Sequence, residues 1–96
     1  MNIEHDKHGN IIACFKCDEP YWSAVLRGDK RTEVRWLDRH ELLLVESPTT
    51  ELSAKYVLLT NEIGLSLIFP IAFYARIGKV LGQTLVIFCW RDAPTG

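Results

Sequence analysis

A short charged segment that follows a glycine constrains this chain more than any other feature of its sequence. Residues 28–35 read Gly-Asp-Lys-Arg-Thr-Glu-Val-Arg. Side chains two positions apart lie on the same face of an extended strand, so we expect Glu33 and Arg35 to point in one direction. Lys30 lies in the turn that enters this strand and can bend over the same face. The sequence therefore predicts two cations and a carboxylate that converge where a strand leaves a tight turn.

The residues before this segment predict a short amphipathic helix over residues 20–27. Apolar side chains recur there at i, i+3 and i+4 in two overlapping sets. These sets are Tyr21, Ala24 and Val25, and Trp22, Val25 and Leu26. Asp18 or Glu19 is expected to cap the start of the helix, and Pro20 is tolerated in its first turn. Gly28 is expected to end the helix in a left-handed conformation. A helix of about two turns depends on packing for its stability.

Together these residues resemble the ASCH domain, a family of the PUA-like superfamily. The match covers residues 11–35, about a quarter of the chain. It is carried by Pro20, Trp22, Val25, Leu26, Gly28, Lys30, Glu33 and Arg35. The resemblance implies an α+β fold, a small PUA-like mixed β-barrel of about five or six strands with one or two short helices. The strand count alone equally allows an open α+β sheet. At 96 residues the chain has the length of a single domain, which we place at 1–96.

The family link implies that the domain binds RNA or a nucleotide-like ligand. The ligand-binding residues would be Gly28, Lys30, Glu33, Arg35 and Tyr21. Arg35 offers a bidentate fork and Lys30 a point charge, while Glu33 can accept a hydrogen bond from an exocyclic amine. Tyr21 is the aromatic residue expected to stack on a base, since Trp22 is expected in the core and Trp36 faces away from Arg35.

Enzymatic activity is an alternative that the sequence leaves open. Some ASCH-like enzymes hydrolyse the acyl amide of N4-acetylcytidine, using a catalytic lysine after the glycine and a threonine nucleophile three residues later. Lys30 matches the lysine, but Glu33 occupies the threonine position. Thr32 is adjacent, but a shift of one residue along a strand turns its side chain to the other face. The alternative function is a nucleoside amidohydrolase or RNA-processing hydrolase that uses Lys30 and Glu33.

The charge pattern leaves two further interpretations open. The net charge of −1 is unlike that of a dedicated nucleic-acid binder. The basic residues that cluster around the motif are Arg27, Lys30, Arg31, Arg35 and Arg39. This cluster is either a local positive patch or a solvated turn in which surface ion pairs join the turn to the strand. A protein-interaction or inhibitor module, using strand edges or the apolar stretch of residues 63–77, is the second alternative.

Cysteine and histidine usage gives expectations about location and metal binding. The odd number of cysteines, three, and the lack of a signal peptide predict the reducing cytoplasm. His5, His8, Cys14 and Cys17 are the residue types that bind zinc. Cys14 and Cys17 lie three apart in an alternating run, however, and so point to opposite faces. We therefore predict no metal and no cofactor, and expect Cys89 in the core.

The rest of the chain predicts mainly strands. Residues 2–5 and 11–17 are expected to form a hairpin, followed by strands at 31–36, 41–46, 54–60, 65–73 and 84–90. The strand at 65–73 is interrupted at Pro70, and a helix over part of 71–77 is an alternative. Turns are expected at 47–50 and 78–82, and a frayed tail at 91–96. The most apolar stretch, residues 63–75, is too short to cross a membrane and is expected to form core.

Overall fold

A computed structural model describes residues 1–46 and 52–91 of the chain. Seven strands and two helices are found there. In chain order they are β1 (Asn2–His5), β2 (Ile11–Lys16), α1 (Tyr21–Leu26), β3 (Thr32–Leu37), α2 (Arg39–Val45), β4 (Ala54–Thr60), β5 (Ser66–Pro70), β6 (Phe73–Val80) and β7 (Gln83–Cys89). The turn expected at 47–50 and most of the tail expected at 91–96 lie outside the described residues.

The described strands form two separate sheets. The first has the order β1-β2-β4-β5, and its β2–β4 pair is parallel whereas the other two pairs are antiparallel. The second sheet is antiparallel, with β7 between β3 and β6. The α+β class and the opening hairpin are confirmed, and the described strands number seven rather than the expected five or six.

The strands do not close into the expected small barrel, because the chain changes from one sheet to the other after β5. The Ile71 amide donates to the carbonyl of Lys55 in β4, a strand of the first sheet. The next amide, that of Ala72, donates to the carbonyl of Cys89 in β7, a strand of the second sheet. Pro70 ends β5 at this point and lacks an N–H to continue the ladder. The two sheets consequently pack as layers, each with free edges.

The core lies between the sheets and is built by alternate residues of their central strands. Phe15 of β2 and Phe88 of β7 meet across the layers, with ring centroids 5.4 Å apart. Phe69 of β5 stacks on Trp90 at 5.1 Å. Other buried core residues are Ala13, Val57, Leu59, Leu37 and Val86 from the strands and Trp22, Val25 and Val45 from the helices. The expectation that Trp22 fills the core is confirmed.

The predicted first helix is confirmed, and the Glu19 side chain, just before the N-cap residue, accepts hydrogen bonds from its first turn. Its carboxylate accepts hydrogen bonds from the Ser23 amide at 3.3 Å and the Ser23 hydroxyl at 2.7 Å. Pro20 occupies the N-cap position and makes no side-chain hydrogen bond there. The acidic residue before the proline therefore satisfies a donor of the first turn.

The strand predicted at 41–46 is wrong, because these residues belong to helix α2. Asp38 and Glu41 form a reciprocal capping box in which each side chain accepts a hydrogen bond from the other residue's amide. Leu42 is half-buried and Val45 is fully buried, whereas Leu43 is 68% exposed. The apolar run thus divides between a packed and a solvent-facing side of one helix.

Two expectations for the second half of the chain also need correction. Residues 63–75 are not all core, because Ile63 is 76% and Leu65 56% exposed, in and just after the turn between β4 and β5. The helix considered over part of 71–77 is wrong, because β6 starts at Phe73. The turn expected at 78–82 is confined to Leu81 and Gly82, which join β6 to β7.

Removing the Asp38 cap is expected to destabilise the protein. Asp38→Ala deletes the side chain that accepts from the Glu41 amide at 2.8 Å, and the free energy of unfolding should fall by about 1 kcal/mol. Asp38→Ser, which keeps an acceptor at this position, should retain most of the stability. Urea unfolding followed by circular dichroism measures both values. Equal losses of unfolding free energy in the two variants would show that a side-chain acceptor at position 38 contributes nothing.

Replacing Leu81 by asparagine is expected to stabilise the hairpin. Leu81 has a φ of +48° and is followed by Gly82 at +80°, which is the pair of positive values that a type I′ turn requires. Asparagine tolerates this conformation better than leucine, so Leu81→Asn should raise the free energy of unfolding by about 1 kcal/mol. Val80→Asn, at the neighbouring strand position, should give no gain. A Leu81→Asn variant no more stable than the parent would contradict this account.

Candidate functional site

Gly28 directs the chain from α1 back towards the site. Its φ of +78° is in the left-handed region, as predicted for the residue that ends this helix. The amides of Asp29 and Lys30 then both donate to the Ala24 carbonyl, at 2.9 and 3.1 Å. These bonds hold the turn against the helix, so the Lys30 side chain starts from a fixed backbone position next to β3.

The two cations of the motif, Lys30 and Arg35, converge on the Glu33 carboxylate, as the spacing predicted. Lys30 Nζ lies 3.1 Å from Glu33 Oε2, and an Arg35 amino group lies 2.5 Å from Glu33 Oε1. The Glu33 side chain is 9% exposed, whereas those of Lys30 and Arg35 are 21% and 40% exposed. A buried carboxylate is tolerated only when it is paired, and here each of its oxygens has a cation.

Two aromatic rings flank the Lys30 ammonium. Nζ lies 5.9 Å from the centroid of Tyr21 and 6.0 Å from that of Trp90, within the range of cation–π attraction. The ammonium also donates to the Thr32 carbonyl. Tyr21 is 61% exposed, whereas Trp90 is 3% exposed. Tyr21 is thus the ring of the two that a ligand in solution can reach.

Arg35 joins the motif to the first sheet. Its guanidinium carbon lies 5.1 Å from the Phe15 ring centroid, and one of its amino groups donates to the Lys16 carbonyl at 3.4 Å. The Nε atom is buried and has no hydrogen-bond partner among the described residues. An unpaired buried donor on an arginine carries a free-energy cost.

Two open clefts meet at Arg35. The one above Glu33 has a volume of about 510 Å³ and is lined by Tyr21, Lys30 and Cys17 besides the motif strand. The other, about 660 Å³, lies over the ends of β1, β2 and β4. Arg35, Lys16 and Asp18 line both. A molecule bound above Glu33 would therefore have open space continuing past Arg35.

Cys17 lies at the floor of the cleft but is not a reactive thiol. It is 4% exposed. Burial, and next the nearby Glu33 carboxylate, raise the pKa of the Cys17 thiol. The neutral thiol is a weak nucleophile, so Cys17 serves as a small apolar wall.

The candidate zinc ligands are not brought together. His5 ends β1 and His8 lies in the turn that follows, while Cys14 is half-buried in β2 and Cys17 is buried just after it. Within residues 1–46 and 52–91, no group of three or more His, Cys, Asp and Glu side chains could hold a metal ion. The absence of a metal stays a prediction.

The sequence did not reveal two of the residues around the site. Trp90 follows the last strand and Phe15 lies in β2, and neither has a local pattern that links it to the motif. Cys89, expected in the core, is only half-buried and faces away from it. Trp36, as predicted, faces away from Arg35 and is 49% exposed.

A second ionic cluster, absent from the sequence analysis, joins β6 to the end of α2. Arg76 Nε donates to Glu46 at 3.0 Å, and a second Arg76 nitrogen and the Tyr74 hydroxyl also donate to this carboxylate. Burial acts to raise the pKa of Glu46, but the hydrogen bonds from Arg76 and Tyr74 prevail and hold it below its usual range. Burial and the Glu46 carboxylate together raise the pKa of Tyr74. These contacts span 28 and 30 residues, so the cluster fixes tertiary structure.

The stability contributed by Glu46 is expected to depend on pH. Its folded pKa is depressed, so the contribution is present above the usual glutamate pKa and is lost as the pH falls through the folded value. Glu46→Gln should lower the free energy of unfolding by about 2 kcal/mol at neutral pH and by progressively less below about pH 4. Denaturant unfolding at several pH values measures this difference. For the control Glu62→Gln, at an exposed turn position, the free energy of unfolding should differ little from that of the parent at every pH. A difference for Glu46→Gln that does not change with pH would refute the linkage.

Comparisons with known proteins add no further assignment. None of the helices within the described ranges is long and apolar enough to cross a membrane. No family model matches the chain, and no curated protein and no solved structure matches it either.

Proposed function

We propose that this chain binds RNA or a nucleotide-like ligand in the cleft above Glu33. One observation carries the proposal: a buried carboxylate held between two cations forms the floor of an open cleft that has an exposed tyrosine in its wall. A nucleobase is a flat ring with hydrogen-bond donors and acceptors on its edge. Proteins that bind single-stranded RNA offer such bases an aromatic surface for stacking together with polar groups for the edge.

Each side chain has a role in this proposal. Tyr21, 61% exposed, stacks on the base. The Glu33 carboxylate accepts from an exocyclic amine, and Lys30 donates to a ring acceptor or a phosphate. Arg35 lies where the two clefts meet and offers the partly exposed end of its guanidinium to a phosphate or carbonyl oxygen.

The purely structural interpretation accounts for less of this arrangement. Lys30 and Arg35 lie within three residues of Glu33, so their ion pairs join only a turn to its own strand. Burying the carboxylate has a desolvation cost, which can exceed the gain from its ion pairs. A ligand that uses the carboxylate explains why it lies at the floor of a cleft. The resemblance to ASCH domains supports the same ligand class, and we propose an ASCH-like, PUA-like domain of the cytoplasm.

The hydrolase alternative has weaker support from the geometry. Both Glu33 oxygens contact cations, and Lys30 Nζ contacts the Glu33 carboxylate and the Thr32 carbonyl. Thr32 starts β3, and its side chain belongs to the other face of the strand from Glu33. These contacts suit recognition better than a free general base or a nucleophile.

The proposal is tested by titrating short single-stranded RNA into the parent protein and variants and following the anisotropy of a fluorescent label on the RNA. Tyr21→Ala removes the stacking surface and should weaken binding about tenfold or more. Lys30→Ala should weaken it strongly and reduce its dependence on salt. Turnover of N4-acetylcytidine, measured on the same samples, checks the hydrolase alternative.

Matched controls come from the same helix and turn. Leu26 is as exposed as Tyr21, at 61%, but does not line the cleft. Arg27 is a cation whose ion partner is Asp29 rather than Glu33. Leu26→Ala and Arg27→Ala should therefore bind RNA like the parent protein. Absence of RNA binding, or equal weakening in Arg27→Ala and Lys30→Ala, would overturn the proposal.

A further inference from the structure

The second sheet carries an apolar surface on the side turned away from the core. This outer face consists of Val34, Trp36, Phe73, Ala75, Leu85 and Ile87. The ladder register aligns Val34 with Ile87 and Ala75, and Trp36 with Leu85. Val34, Trp36 and Phe73 are 46%, 49% and 56% exposed. None of the six side chains is charged, so together they form a continuous apolar surface.

The sequence of β7 indicates that its outer face is covered in the working protein. Residues 85–90 read Leu-Val-Ile-Phe-Cys-Trp. An antiparallel strand with one side in water alternates apolar and polar residues, whereas a strand covered on both sides is apolar throughout. Val86 and Phe88 are fully buried on the inner side. Leu85 and Ile87, on the outer side, have no comparable cover from the described residues.

We propose that a second copy of this chain covers the outer face, so that two sheets pack face to face. A charge-free surface can meet its own copy without burying an unpaired charge, whereas a charged one would repel itself. The net charge of −1 adds little long-range repulsion between copies. The same right-handed twist in both copies also permits the aligned packing of sheets.

The geometry sets the symmetry and the strength of this dimer. β7 is the central strand, and Ile87 lies near the middle of the outer face, so a two-fold axis through this position brings each surface onto its copy. Three strands over six residues cover about 300 Å² in projection. A stable interface buries about 800 Å² per partner. We therefore expect a reversible, concentration-dependent dimer.

The dimer does not depend on the proposed function. Glu33 and Arg35 project from the opposite side of β3 to Val34 and Trp36. Pairing through the outer face thus leaves the Glu33 and Arg35 side chains uncovered, and failure of RNA binding would not affect the inference.

Trp36 provides a direct probe of this surface. The other two tryptophans, Trp22 and Trp90, are 8% and 3% exposed. Acrylamide quenching of tryptophan fluorescence therefore reports mainly on Trp36. Quenching should be strong in dilute protein and should fall as the concentration rises from the low micromolar range towards millimolar. Over the same range, sedimentation should show the mass rising from 11.0 kDa towards twice that value.

Two charge substitutions in β6 test the face without altering the probe. Phe73→Lys and Ala75→Lys each place a cation in the apolar contact and should weaken self-association at least about tenfold, because a charge would be buried without a partner. Ile63→Lys adds the same charge to a side chain that is 76% exposed outside the outer face, and should dimerise like the parent. Circular dichroism establishes that each variant is folded.

The outcomes of these experiments distinguish a second copy of the chain from a different partner on the outer face. Dimerisation that protects Trp36 and is weakened in both β6 variants supports the proposal. A monomer with quenchable Trp36 at every concentration overturns it and assigns the face to a different partner. A dimer in which Trp36 stays quenchable, or which Ile63→Lys weakens as strongly as Phe73→Lys, also overturns it.

Discussion

The site rests on one constraint, the need to pair a carboxylate that folding removes from water. Glu33 lies on the inner side of β3 with its side chain 9% exposed, and both of its oxygens contact cations. Arg35 reaches it because the two residues share a strand face, while Lys30 reaches it because the turn after Gly28 returns the chain towards the strand. The ionic contacts therefore depend on the backbone path at the end of α1, which the positive φ of Gly28 makes possible.

The period of two along β3 connects the two proposals. Glu33, Arg35 and Leu37 face the core side of the sheet, and Val34 and Trp36 face away from it. One side can therefore form a polar cleft while the other forms an apolar contact surface. Because the side chains proposed to bind the ligand and those of Trp36, Phe73 and Ala75 lie on opposite sides of the sheet, ligand binding and self-association are separable by substitution.

Local sequence signals predicted local structure, but they did not predict which distant strands pair. The helix over 20–27, the left-handed Gly28 and the shared direction of Glu33 and Arg35 each depend on a few neighbouring residues. The strand expected at 41–46 is wrong because a short apolar run fits either a strand or a helix, and the capping box that begins at Asp38 favours the helix. The closed barrel failed because strand pairing is decided between distant segments, and no local pattern locates the change of sheet after Pro70.

The two ionic clusters show why a paired carboxylate alone does not identify a site. Glu46 contacts Tyr74 and Arg76, 28 and 30 residues away, so its ion pair joins the end of a helix to a distant strand and serves the fold. The ion pairs of Glu33 are with residues within three positions, yet its carboxylate also has a desolvation cost. Its burial at the floor of an open cleft is therefore poorly explained by stability. The proposed contact with a ligand would account for the position of Glu33, whereas the long-range contacts of Glu46 assign that residue to the architecture.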